Sequence, residues 1–168
     1  MRTDLVAAGL LLGALVASSA AAREDSLRFE RHGRLVREIP LAELREECHE
    51  TEVVVERDPY YGRRKRFLAC PLAQVFVLGF GVPPSALGSA NVFFRARDGY
   101  VKPAPAALLA EPGGYLAFAD AERVRGGDPG FEPIDRRQVD PGPFYLVWTG
   151  AAQADPHRHP WPYQLTAI

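Results

Sequence analysis

The chain has 168 residues, a formal charge of −1, and 15 each of glycine and proline. A balance this close to neutral lacks the net basic face that a phosphate backbone requires, which excludes nucleic acid as a partner. The length suits one domain with one core, and the glycine, proline and aromatic content favours a strand-rich, loop-rich body over a helical bundle.

Met1, Arg2 and Thr3 open the chain, and after Asp4 no charge occurs from Leu5 to Ala22. A basic start, an apolar run through Leu10-Leu11-Leu12 and small residues at Ala20 and Ala22 describe a secretory signal peptide over residues 1–22, cleaved before Arg23. A retained membrane anchor is the competing reading, since a span needs roughly 20 apolar residues. The small residues in the second half of the run argue against it, so no stable anchor is expected after cleavage. Loss of residues 1–22 removes one Arg and one Asp and leaves the charge unchanged. The expected mature protein is a single periplasmic or secreted domain over residues 23–168.

Leu27 and Phe29, then Leu35 and Val36, flank Arg31-His32-Gly33 and predict two short strands joined by a tight turn. Pro40 is expected at the first turn of a short helix through Leu44, where a missing N–H costs nothing. Glu52 to Glu56 is a β-branched strand, Asp58 to Gly62 a turn, and Lys65 to Ala69 the returning strand of a hairpin. Cys70-Pro71-Leu72-Ala73-Gln74-Val75 echoes Ile39-Pro40-Leu41-Ala42-Glu43-Leu44, a second strand feeding a proline-started helix that stops near Gly79 to Gly81. Asn91 to Ala96 and Tyr100 to Lys102 form a hairpin over Asp98-Gly99. A helix over 106–110 and a strand over 115–119 follow. Residues 120–143 carry no periodicity and read as one long irregular excursion, a length that in compact domains is functional or mobile. Phe144 to Trp148 is a core strand, a polar loop runs through Asp155-Pro156-His157-Arg158-His159-Pro160, and Trp161 to Ile168 closes as the last strand. Strands with interspersed short helices make an α+β domain built on a mixed β-sheet.

Several phrases carry a resemblance: Pro71-Leu72-Ala73-Gln74-Val75 with Gly81-Val82-Pro83, then Val92 to Tyr100, then Gly142-Pro143-Phe144-Tyr145-Leu146-Val147-Trp148 with Trp161-Pro162-Tyr163-Gln164-Leu165. Together they resemble the molybdopterin-binding oxidoreductase domain of the sulfite oxidase type, in its small exported form. The resemblance implies a mixed α+β fold and a place among exported redox proteins. Catalytic members hold molybdenum through one cysteine thiolate in a loop after a strand. Here Cys48 precedes the Val53-Val54-Val55 strand and Cys70 sits at the mouth of a helix, so the metal-ligand motif is missing.

The two cysteines, 22 residues apart, either pair in an oxidising compartment or stay as separate buried thiols. Arg95 and Arg97 share one strand face by the period of two, and with Asp98, Tyr100 and Lys102 they form a candidate cofactor- or anion-binding set. Its alternative is a plain hairpin turn with solvated arginines. Arg63-Arg64-Lys65-Arg66 makes a basic hairpin tip for an acidic partner such as a periplasmic redox protein or for anionic lipid headgroups, or is simply a solvated turn. His157 and His159 point the same way if their loop is extended, and so are candidate copper or zinc ligands; a surface loop is the plainer reading. The expected function is an exported molybdopterin oxidoreductase-like domain acting as a non-catalytic binding or electron-transfer accessory, with a concave face near Arg95, Asp98, Tyr100 and the 120–143 excursion. The alternatives are an active molybdopterin-dependent oxidoreductase with Cys70 or Cys48 as metal ligand, and a periplasmic copper-binding or carrier protein using His157 and His159.

Overall fold

A computed structural model describes residues 25–134 and 138–168. The leader expected over residues 1–22 lies outside the described residues. The rest is α+β, mostly strands with short helices, and its strands form two sheets.

The first sheet begins with the hairpin β1 (Ser26–Arg31) and β2 (Arg34–Pro40). His32 and Gly33, at φ 51° and 74°, make its two-residue turn. Two successive positive φ values match the right-handed twist of the flanking strands. β2 leads directly into α1 (Leu41–Glu47), and β3 (Thr51–Val55) with β4 (Lys65–Pro71) opens the second sheet as an antiparallel hairpin. α2 (Leu72–Phe80) follows and ends at Gly81, whose φ of 76° lets its N–H reach the Val77 carbonyl at 2.9 Å. β5 (Asn91–Ala96) and β6 (Val101–Pro105) return to the first sheet, and α3 (Ala106–Leu109) follows. β7 (Gly114–Asp120), α4 (Ala121–Arg125), β8 (Tyr145–Trp148) and β9 (Leu165–Ala167) complete the order.

The strand-to-helix echo is a real structural unit and occurs three times. Pro40, Pro71 and Pro105 each end a strand with extended ψ (148°, 130° and 137°) and stand immediately before a helix. Proline fixes a φ compatible with both states, so the chain changes from strand to helix without a loop. The prolines therefore sit one position earlier than expected, before the first helical residue. At the fourth such junction Asp120 replaces proline, and its Oδ1 accepts the N–H of Glu122 at 2.9 Å and of Arg123 at 3.4 Å. That cap makes α4 the start of what reads in sequence as a structureless excursion.

The sheet orders are β2-β1-β9-β5-β6 and β3-β4-β7-β8. The last strand is only three residues long rather than eight, and it inserts between β1, to which it is parallel, and β5, to which it is antiparallel. One cluster of buried side chains joins Phe29, Phe94 and Leu165 of the first sheet to Phe67, Leu116, Tyr145 and Trp148 of the second, with Val75 and Phe76 from α2. A disulfide links Cys48, just past α1, to Cys70 in β4, with both residues fully buried.

Candidate functional site

The first sheet has one face in the core and one open. Along β5 the exposure alternates strictly: Val92, Phe94 and Ala96 are buried, while Asn91, Phe93 and Arg95 face out. Two adjacent phenylalanines in a strand cannot share a face, so one is left to solvent. Phe93 is 56% exposed and Val101 43%. Arg95 stands opposite Val101 on β6 and opposite Ala167 on β9. Because Ala167 is small, the Arg95 guanidinium crosses over β9 and meets Glu30 of β1 at 3.4 Å, where Arg28 also arrives at 3.1 Å.

This open face forms the floor of a groove of about 630 Å³. Phe80 supplies apolar wall from the last turn of α2, Leu87 from the segment after it, Phe93 and Val101 from the β5–β6 hairpin, and Ile168 from just past β9. The β1–β2 turn closes one end with Arg31, His32 and Gly33. A volume of several hundred Å³ with mostly apolar walls and a few polar groups is the ordinary form of a small-molecule site.

Of the five residues expected to form a binding set, Arg95 alone lines this groove. Lys102 stands opposite Phe94 and so on the other face of the sheet from Arg95. Arg97 lies beyond the end of β5 and has its own carboxylate, Asp25, at 3.6 Å. Two arginines held by different acids are not placed to grip one anion. Asp98 accepts the Tyr100 N–H at 2.9 Å and, with Gly99 at φ 87°, forms the hairpin turn; the Tyr100 side chain is 56% exposed. Among the described residues of the 120–143 excursion none lines the groove. It folds instead against the second sheet, through Glu132 to Lys65 and Arg63. Arg31, His32, Phe80 and Phe93 also line the groove, and the one local sign of it in the sequence is the Phe93-Phe94 doublet.

The expected basic hairpin tip is internally neutralised. Arg63 pairs with Glu132, Arg64 with Glu56 at 3.5 Å and Arg66 with Glu52 at 2.8 Å. Lys65 points inward and is 2% exposed, between Asp120 and Glu132 and 4.6 Å from the Tyr61 ring centroid. Beside it Asp58 is buried, accepting the N–H groups of Tyr60 and Tyr61 at 2.9 and 3.1 Å and the Tyr145 hydroxyl at 2.8 Å. Burial pushes the Asp58 carboxyl above its usual range despite these bonds, and burial with the neighbouring Asp58 holds the Tyr145 hydroxyl well above its own. Every group here has a partner within the cluster, which is the arrangement of a polar support for the core.

The histidine loop is a turn rather than an extended segment. Asp155 accepts the N–H groups of His157 and Arg158 at 3.1 and 3.0 Å, and the His159 N–H reaches the Asp155 carbonyl at 3.0 Å. His157 is exposed. His159 is 3% exposed, 4.5 Å from Trp148 between ring centroids, with Nε2 3.0 Å from Glu111. The two imidazoles thus differ in environment, and among the described residues no group of three or more His, Cys, Asp or Glu side chains is placed to hold a metal.

Molybdenum ligation of the expected kind requires a free, accessible thiolate. Cys48 and Cys70 are joined to each other and fully buried, so the residues present do not fit that role. No protein-family model matches the chain, and no curated protein is significantly similar to it.

Proposed function

We propose that this chain is an exported, non-catalytic binding domain of the molybdopterin-oxidoreductase type, in which the groove over Ala167 has become the working site. The observation that carries the reading is the Cys48–Cys70 disulfide, which consumes both thiols of the described chain. A bridged cysteine cannot be a metal thiolate, and a disulfide of this kind suits an oxidising compartment. The resembling phrases from Pro71 to Leu165 support the family reading, and the leader expected over residues 1–22 supports export. A groove with largely preformed walls and no activated nucleophile beside it serves capture rather than turnover.

The test is to produce the full chain, leader included, in a bacterial host that synthesises molybdopterin, and to recover the processed protein from the periplasm. Mass spectrometry should show a chain beginning at Arg23 with both cysteines oxidised. Metal analysis and pterin fluorescence of the same sample should find neither molybdenum nor pterin in stoichiometric amount. One molybdenum and one pterin per chain would overturn the reading in favour of an active oxidoreductase.

A further inference from the structure

We infer that the groove takes a single-chain amphiphilic anion, its carboxylate at the β1–β2 turn and its apolar tail along Phe93, Val101 and Leu87. The inference rests on the binding role proposed above and names the ligand class for the same site.

The first observation is a charge left over at the turn. Arg31 and Arg34 stand directly opposite each other across the hairpin. Like charges in that position repel. Elsewhere in the first sheet Arg28 and Arg95 share Glu30 and Arg37 meets Glu43, while Arg97, just past β5, meets Asp25. Arg31 and Arg34 have no acidic partner among the described residues. Arg31 lines the groove, and a carboxylate there would relieve the cross-strand repulsion while accepting charge-assisted hydrogen bonds from the guanidinium. The backbone holds the turn in a specialised conformation, with the non-glycine His32 at φ 51°, so the two arginines are presented on a defined two-residue turn and not on a frayed loop.

The second observation is the apolar length behind that charge. Phe93 leaves more than half of its side chain open on β5, and Val101, Leu87 and Ile168 continue the same wall. Burial of this surface by a tail is favourable by the ordinary hydrophobic term. Glu30 does not oppose the anion at the floor, because two guanidinium groups already hold it and its side chain is only 14% exposed. An uncharged or cationic amphiphile would satisfy the wall and leave the Arg31–Arg34 repulsion in place.

Dodecanoate, below its micelle-forming concentration, is the probe. Calorimetry on the processed protein should give one saturable site, and amide shifts in a nitrogen–proton spectrum should cluster on residues 30–33, 91–95, 101 and 167–168. Dodecyl maltoside and dodecyltrimethylammonium should bind more weakly, and acetate not measurably. Arg31→Glu should weaken dodecanoate binding by about tenfold. Phe93→Ser should weaken dodecanoate and dodecyl maltoside alike. Arg57→Glu, the same charge change at an exposed site outside the groove, should leave affinity unchanged. Both groove substitutions fall on exposed side chains, so folding is preserved and can be checked by the same spectrum. Equal affinity for dodecanoate and dodecyl maltoside, shifts centred elsewhere, or no effect of Arg31→Glu would each overturn the inference. Stoichiometric molybdenum with dodecanoate binding as described would sink the non-catalytic role alone; absence of both molybdenum and dodecanoate binding would sink the ligand class alone.

Discussion

Lys65 and Asp120 are 55 residues apart in sequence and form an ion pair in which both side chains are withdrawn from water, at 2% and 1% exposure. The antiparallel register that sets Phe67 opposite Asp120 brings the two together. Asp120 uses its other oxygen to cap α4, and Lys65 also meets Glu132 at 2.8 Å. One lysine thus binds the second sheet, the helix after it and the following segment. Removing one member of such a pair leaves a buried charge without compensation, which costs about 3–5 kcal/mol. Lys65→Met should therefore destabilise by that amount in urea unfolding. Asp120→Asn, which keeps an oxygen for the cap and leaves Glu132 for Lys65, should cost less than Asp120→Ala.

The two carboxyls beside this pair respond to pH with opposite sign. Burial works to raise Glu132, but the hydrogen bonds from Lys65 and Arg63 prevail and hold it below its ordinary 4.5. Its contribution is present above that value and lost as pH falls through the lower folded one. Burial raises Asp58 above its ordinary 3.8. The folded state therefore prefers the protonated form, and stability declines as pH climbs from 3.8 toward the raised value. Unfolding free energy measured across the acid range should fall less steeply on the acid side in Glu132→Gln, with Glu52, also held below its ordinary value by hydrogen bonds from Arg66 and Arg125, still contributing. In Asp58→Asn it should lose the decline on the other side, since Asn still accepts the N–H groups of Tyr60 and Tyr61.

The disulfide closes a loop of 22 residues and ties α1 to β4. In the chain-entropy model this is worth about 3 kcal/mol, through a more restricted unfolded chain. Reduction should lower the melting temperature clearly, and Cys48→Ala with Cys70→Ala should reproduce the reduced form. An unchanged melting temperature on reduction would show that the bridge does not form.

The histidines of the C-terminal loop should separate cleanly. His157 is exposed and its backbone N–H donates to Asp155, a bond that alanine keeps, so His157→Ala should be silent in thermal unfolding. His159 fills space against Trp148 and holds Glu111 at 3.0 Å, so His159→Ala should cost on the order of 1–3 kcal/mol. Loss of copper affinity in His157→Ala without loss of stability would restore the carrier reading.

What could be read from the chain was local. The β1–β2, β3–β4 and β5–β6 hairpins, the proline-led helices and the Gly81 stop each depend on residues within a few positions of one another, where turn and capping chemistry decides. The groove depends on pairing between remote strands. Nothing in Leu165-Thr166-Ala167 announces that it will lie between β1 and β5, yet that placement puts Ala167 beneath Arg95 and lets Glu30 be neutralised. Lys65 was hidden for a similar reason: in Arg63-Arg64-Lys65-Arg66 it looks like one more surface charge, and only its position two residues before Phe67 on the inner face of β4 turns it inward. The excursion after Asp120 lacks periodicity because ion pairs and a capped single-turn helix organise it, and neither leaves a hydrophobic pattern.

Gly79 makes a final prediction that links the core to the groove. It lies near the end of α2, where alanine would ordinarily favour the helix by about 1 kcal/mol. Here a Cβ would come within 2.0 Å of the Phe29 ring, which packs edge-on against Phe80 at 5.2 Å. Phe29 is fully buried in β1 and cannot swing to solvent. Overpacking of this sort costs about 1–3 kcal/mol, so the clash outweighs the propensity gain and Gly79→Ala should be destabilising. Because Phe80 is a wall of the groove, the displaced ring should also weaken dodecanoate binding. Phe29→Leu removes ring volume at the point of contact. Combined with Gly79→Ala it should recover part of the stability that each single change loses, and a double-mutant cycle with no coupling between the two would show that α2 and β1 do not meet at this contact.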